Sequence, residues 1–313
     1  MVLVFGFRKN TRLALGLAVQ RNNCQFRLIL LKQTNPTHNN PQKVVLMYIL
    51  RFYLATLLVS LALSNSALSR EVKICDDQAE WPPYTYYARE GGVPNKSQLT
   101  GATKDLIDRI FESSSLNYSI KLLPWKRCLN EVIDGQTYEI FADASSNEER
   151  LKTYHRSRPT YKTTEGLFFS KKRFPNGLKI SSAADLNKYK LCGLLGYNYT
   201  SYFELGVKKD VDLGVNHASK ALLKLEKGRC DVFLSIIEPI FGAVAINQFP
   251  MGPEIDHIPL PGAKGTIFYF WVSKNSPRAA ALLETINTSI DKLYSNGDAD
   301  KIFKKYLPGG TAL

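Results

Sequence analysis

From Arg70 onward the chain alternates short, nearly continuous apolar runs with stretches whose apolar residues recur every three to four positions. These two patterns separate a buried strand from a helix packed by one face. EVKIC (71–75) reads as a strand, and TKDLIDRIFESS (103–114) as a helix with Leu106, Ile107, Ile110 and Phe111 on one face, behind the turn in LTGAT. YSIKLLPW (118–125) is a second strand ended at Pro124, KRCLNEVIDG (126–135) a helix closed by Gly135, and YEIFADAS (138–145) a third strand. This β-α-β-α-β order predicts a parallel sheet covered by helices. A similar series follows: AADLNKY, YTSYFELG and ASKALLKLEKG as helices, KLCGLLG, VDLGVN and CDVFLSII as strands. Two long β-rich runs, PTYKTTEGLFFSKK and GTIFYFWVSKNSP, bracket that second series as two hinge strands would. From Ser276 the tail carries Leu282, Leu283, Ile286, Ile290 and Leu293 at helical spacing, turns at Gly297 and adds a short helix with Ile302, Phe303 and Tyr306, predicted to pack back on the first series.

Ahead of this region, MYILRFYLATLLVSLALSNSALSREVKIC has the three-part layout of a secretory signal, with an apolar run from Phe52 to Leu63 that is short for a membrane span. Cleavage is expected after Ser69, with Ser66 and Ala67 as rivals, so residues 47–69 read as a signal peptide and Met47 as the initiator. Residues 1–46 hold seven Lys and Arg and no acid; they read as the product of an upstream start codon in preference to a genuine basic extension, and an uncleaved anchor is the runner-up for the whole front. Export changes the meaning of the net charge of +13, since only +5 remains from Arg70 onward, with acids and bases interspersed. That is not the footprint of a nucleic-acid binder. Four of the five cysteines, Cys75, Cys128, Cys192 and Cys230, follow the cleavage point. An even count in an exported chain suggests two disulfides, with three pairings open. The absence of any CxxC gives zinc or thioredoxin-type chemistry little support, and no cofactor is expected.

ASSNEERLKTYHRSRPTY (144–161) admits two readings. Ser146 and Glu149 fit a capping box, which would leave Arg150 a solvated charge. Alternatively, Arg150 adds a planar guanidinium to a helix N-terminus and suits a carboxylate ligand.

The ordered set CDDQAEWPPYTYY, LTGATKDLIDRI, LLPWKRCLNEVIDGQTYEIFADASSNEERLKTYHRSRPTY, SAADLNKYKLCGLLGYNYTSYF and LEKGRCDVFLSIIEP resembles the periplasmic extracellular solute-binding proteins of family 3, associated with polar amino-acid ABC transporters, over about residues 71–308. The resemblance implies an α/β periplasmic-binding-protein clamshell. Each lobe would be a mostly parallel sheet flanked by helices, lobe 1 from 70–163 and 270–313 and lobe 2 from 164–269. The family's T-x-T-x-x-R pattern falls on Ser145, Asn147 and Arg150, which implies that Arg150 grips a ligand carboxylate. Trp81, Tyr84 and Trp125 would supply aromatic walls, whereas Tyr161 reads as packing. Gly196, Tyr197, Asn198, Tyr199 and Thr200 occupy the family's anion-facing loop, with Tyr197 and Asn198 in place of small hydroxyl residues. The Asp that receives the ligand ammonium in amino-acid binders falls on Ile236, so Glu238 is the expected substitute and Asp231 the other nearby acid. Asp105 reads as complementing its helix dipole. Within lobes so arranged, the expected disulfides are Cys75–Cys128 and Cys192–Cys230.

The function implied is a monomeric, non-catalytic periplasmic receptor that closes on a small polar, carboxylate-bearing solute and presents it to the membrane subunits of an ABC transporter. An enzyme of the cyclohexadienyl dehydratase type, which shares the fold, and a sensory module acting through a separate membrane protein are the alternatives. Neither GxSxG nor HExxH is present, and His155, His217 and His257 are scattered.

Overall fold

The computed structural model describes residues 71–114 and 116–307, together with the backbone of 17–22 and 25–30. The expected signal segment lies outside these residues. Contacts divide the chain into two compact units, Met1–Ala62 and Leu63–Leu313. In the first, β1 (Leu17–Asn22) and β2 (Gln25–Leu30) pair as an antiparallel hairpin.

In the second unit, β3 (Val72–Asp77) lies between β6 (Tyr118–Leu123) and β7 (Ile140–Ser145), parallel to both. A strand flanked on both edges and buried on both faces needs a near-continuous apolar run, which VKIC supplies until the chain turns acidic at Asp76 and Asp77. The sheet order is β6-β3-β7-β14-β8. The long connecting runs supply its last two strands, β8 (Tyr154–Thr163) and β14 (Thr266–Ser273), in antiparallel pairing. Helix α1 (Ala102–Ser114) buries Leu106, Ile107, Ile110 and Phe111, and α7 (Ala279–Ser295) and α8 (Asp298–Tyr306) join the same core through Leu282, Ile286, Ile290 and Phe303. Each such side chain contributes about 1.5–3 kcal/mol on burial. Asp105, in the first turn of α1, accepts from Lys305 Nζ and Tyr306 Oη at 2.8 and 2.9 Å, tying the tail to this core.

The second sheet repeats the plan in the order β11-β10-β12-β9-β13. β10 (Leu191–Leu194), β11 (Val211–Val215) and β12 (Val232–Ile236) are parallel, and β9 (Glu165–Ser170) and β13 (Ile255–Pro259) add antiparallel strands. Helix α5 (Ala218–Glu226) buries Ala221, Leu222 and Leu225 against it. The chain passes from the first sheet to the second at Thr164, between β8 and β9, and returns in residues 260–265 before β14. Thr163 and Thr266 are register partners, so the two crossings run side by side. Both disulfides form within a lobe as expected, Cys75–Cys128 and Cys192–Cys230.

Three elements depart from the apolar pattern. AADLNKY forms a 3-10 helix (Ala183–Lys188). The hairpin of β4 (Tyr86–Glu90) and β5 (Val93–Thr100) carries almost no buried side chain, so no periodicity marks it. Helix α6 (Ile237–Ala245) follows directly on β12, and its apolar run reads as a continuation of the strand.

Candidate ligand-binding cleft

The carboxyl ends of β3 and β7 and the start of α2 (Trp125–Ile133) face the loop 196–202 of the second lobe across a cleft of about 530 Å³ of empty space, part of it open to solvent. Ligands of open α/β sheets bind at such strand ends. Asp76, Asp77, Trp81, Trp125, Asp143, Ser145, Arg150 and Phe268 line it from the first lobe, and Tyr197, Asn198, Ser201, Tyr202 and Ile236 from the second.

Arg150 lies on α3 (Glu148–Thr153), a helix set by Asn147, whose Oδ1 accepts the Arg150 N–H at 2.8 Å. The cap is therefore one residue later than the Ser146 capping box of the sequence reading. Asn147 holds the extended conformation a cap needs, and Ser146 Oγ instead accepts from Arg156 Nη1 at 2.9 Å. The Arg150 side chain is 6% exposed. Nη1 donates to the Ser145 carbonyl at 2.7 Å and the guanidinium lies 5.6 Å from the Trp125 ring centre. A guanidinium has five donors, and no carboxylate among the described residues pairs with this one. Burial lowers its pKa to about 10, so it stays charged at neutral pH.

The opposite polarity sits on the same lobe. Asp76 is 2% exposed, its Oδ1 accepts the Asp77 N–H at 2.7 Å, and its carboxyl is hydrogen-bonded to that of Asp143. Asp143 accepts from Thr85 Oγ1 at 2.7 Å, Thr103 Oγ1 at 2.6 Å and Tyr161 Oη at 2.8 Å. Burial pushes both carboxyls up, Asp76 further because Asp143 adds like-charge repulsion and Asp143 less because three hydroxyls donate to it. Burial likewise raises Asp77 to about 6. These three acids were not singled out in the sequence. The available signal was a strand ending in two consecutive aspartates, an expensive place for charge unless the site uses it.

The two lobes meet directly around this cleft. Tyr197 Oη donates to Asp77 Oδ2 at 2.9 Å, Asn198 Nδ2 donates to Ser145 Oγ at 2.9 Å and the Ser146 carbonyl at 3.0 Å, and Trp125 Nε1 donates to the Gly196 carbonyl at 3.1 Å. A Cβ at Gly196, where φ is +82°, would lie 3.3 Å from the Trp125 ring, so glycine is what lets the loop come this close. Tyr197 and Asn198, expected to face the ligand, thus also bridge the lobes.

Of the residues expected at the site, Trp81, Trp125, Ser145, Arg150, Tyr197 and Asn198 line the cleft, and Asn147 supports it as the cap. Tyr84 is instead stacked on Tyr161, centroids 3.9 Å apart, and Tyr161 bonds Trp81 Nε1 at 3.0 Å. Glu238 is directed elsewhere: both its oxygens accept the Thr164 N–H at 3.0 Å, at the first crossing between lobes. Asp231 pairs with Arg173 at 2.6 Å and also lies outside the cleft lining. Ile236 does line the cleft, so no acid comes from the second lobe among the described lining residues.

Comparison with known proteins agrees with this architecture. A protein of Neisseria gonorrhoeae described as a "Probable histidine-binding protein" is 22% identical over 275 residues, covering 83% of this chain and 97% of that protein. The crystal structure of a histidine kinase sensor domain with similarity to periplasmic binding proteins superposes with a TM-score of 0.63 at 18% identity, covering 79% of this chain and 99% of that one. The arginine-, lysine-, histidine-binding protein of Geobacillus stearothermophilus superposes at 0.60, with 18% identity over 77% of this chain and 96% of its own. At such identities the superpositions show the shared two-lobed fold. The family model of the bacterial extracellular solute-binding proteins, family 3, matches residues 73–309, and the chain belongs to that family.

Proposed function

We propose that the protein captures an amino acid, or a closely related carboxylate-bearing solute, and delivers it to the membrane subunits of an ABC transporter outside the cytoplasmic membrane. The observation that carries this reading is Arg150: a buried guanidinium at the lobe-to-lobe cleft, with one bond to a carbonyl and no carboxylate partner among the described residues. Burying a cation without a counter-ion costs several kcal/mol, and a ligand carboxylate in a bidentate pair offsets that cost. The guanidinium lies 5.6 Å from the Trp125 ring centre, a cation–π distance that adds to the attraction for its charge. The names of the gonococcal and Geobacillus relatives support an amino acid as the class of solute. The secretory-signal pattern expected over residues 47–69 supports the location. The reading is of a receptor without catalysis: binding draws the lobes together, and the closed form is what the transporter recognises.

Calorimetry over a panel of amino acids tests it. Arg150→Ala should weaken the best ligand by about 2–5 kcal/mol, roughly thirtyfold or more, with the melting temperature of the ligand-free protein little changed. Unchanged affinity in that variant would exclude the assignment, and turnover of the bound solute would exclude the non-catalytic reading.

A further inference from the structure

We propose that the hinge carries a second binding site, separate from the solute cleft, which takes a primary alkylammonium group on Glu165, Glu238 and Tyr84.

The site is the cavity formed where the chain crosses between the lobes, about 920 Å³ of empty space, part of it open to solvent. Both crossings line it, the first through residues 162–165 and the return through residues 259–260 and 263–265. Tyr84 and Leu307 reach it from the first lobe and Glu238 from α6. It shares no lining residue with the solute cleft. One hydrogen bond forms the partition between them: Thr266, a cleft residue, donates its hydroxyl to Glu165 Oε1.

Two deeply buried polar atoms of this cavity have no partner. Glu165 is 1% exposed, and while Oε1 takes the Thr266 hydroxyl, Oε2 receives no hydrogen bond. Tyr84 is fully buried against Tyr161, and its Oη neither donates nor accepts. Each such orphan is costly in a purely structural role. Glu238 is under-used as well, since its two oxygens share the single Thr164 N–H. Burial, and then the charges of Glu238 and Asp143, raise the Tyr84 phenol, so it stays protonated beside Glu238. Among the described residues no Lys, Arg or His forms an ion pair with Glu165 or Glu238; Lys162 and Lys264 sit exposed at the rim.

Two carboxylates without a counter-charge select a cation, and the surroundings select its kind. No group of three His, Cys, Asp or Glu among the described residues suits a metal ion, and hard cations demand a fuller oxygen shell than two carboxylates supply. An ammonium has three N–H donors, and Glu165 Oε2, a Glu238 oxygen and Tyr84 Oη are three acceptors for them. Leu260, Ala263 and Leu307 give the same cavity an aliphatic wall for the attached chain.

The test is a titration of the full chain with n-butylammonium, and with n-butanol as its neutral counterpart, followed in 15N–1H correlation spectra. Saturable shifts of the Thr164, Glu165 and Gly265 amides are expected with the amine, and about tenfold or more weaker binding of the alcohol. Arg150→Ala should respond as wild type does, because the probe has no carboxylate and the cleft is not its site. Glu165→Gln should weaken the amine by about tenfold or more. Should that variant fail to fold, Ala263→Trp, which fills the cavity from its apolar side, should give the same loss. Tyr84→Phe should weaken the amine while leaving the melting temperature of the free protein unchanged or higher, since it deletes a hydroxyl that nothing answers. Equal responses to amine and alcohol, shifts that persist in Glu165→Gln or Ala263→Trp, or loss of the response in Arg150→Ala would each overturn the inference. So would a lowered melting temperature in Tyr84→Phe, which would mean that the hydroxyl already has a structural partner.

Discussion

The Asp77 carboxyl shows how a single group trades stability for function. Its ordinary value of 3.8 is raised to about 6 in the folded chain by burial, against the bonds it accepts from the Ala79 N–H and Tyr197 Oη. A raised value means that the native state holds the proton more tightly than the unfolded state. The stabilising contribution is therefore complete below about pH 4 and is lost as pH rises through 6. Asp76 and Asp143, raised for the same reason, act in the same direction. Ligand-free protein should gain melting temperature on acidification from pH 7 toward pH 5, as far as these groups decide it. Asp77→Asn should flatten that slope and stabilise the chain at pH 7 by at most about 3 kcal/mol. Melting curves between pH 4 and 8 check this, and a variant less stable than wild type at pH 7 would contradict it. Such buried acids are also what sequence patterns hide: CDD at the end of a strand looks like the start of a solvated loop, and only the packing of β6, β7 and the Tyr197 loop around it makes the acids costly.

At the scale of elements, the short helix α3 is set by its cap, because six residues make too few hydrogen bonds to hold a helix alone. Asn147→Ala removes the bond to the Arg150 N–H and should cost about 1 kcal/mol of stability. Since the bond lost is to Arg150's own backbone, ligand affinity should fall as well, by a smaller factor than in Arg150→Ala. Loss of stability with unchanged affinity would show that the guanidinium is positioned by Ser145 and Trp125 alone. The same element shows what the sequence disclosed. A cap, a helix and a guanidinium were legible in ASSNEER, but which of Ser146 and Asn147 caps was not, since both are good caps and the choice is made by Arg156 drawing the Ser146 hydroxyl away. Apolar runs marked β3, β7, β10 and β12 because those strands are largely buried, and the edge strand β6 was marked by its apolar end at Leu122 and Leu123. The β4–β5 hairpin was silent because β4 is only half-buried and β5 largely exposed, so no apolar face marks it, and Glu238 was misdirected because the sequence does not show that Thr164 crosses beside it.

For the whole molecule the decisive contact lies away from the ligand. Helix α6 of the second lobe passes so close to the Pro82–Pro83 segment of the first that a Cβ on Gly242 would lie 2.4 Å from the Pro82 carbonyl oxygen. Gln248 Nε2, just beyond that helix, donates to the Ala79 carbonyl at 2.8 Å, so the approach is bonded as well as tight. Gly242 is a helix-interior residue, where alanine is intrinsically better by about 1 kcal/mol. Gly242→Ala should therefore leave each lobe at least as stable while penalising the arrangement in which the lobes meet. That combination separates closure from folding. An undiminished melting temperature, a ligand affinity reduced by tenfold or more, and a ligand-saturated radius of gyration that stays above the wild-type value would be the expected set, since affinity is diluted by the fraction of molecules able to close. Wild-type affinity in this variant would mean that the solute is bound without the lobes meeting at Pro82, and that closure is carried by the Tyr197–Asp77 and Asn198–Ser145 bonds at the cleft itself.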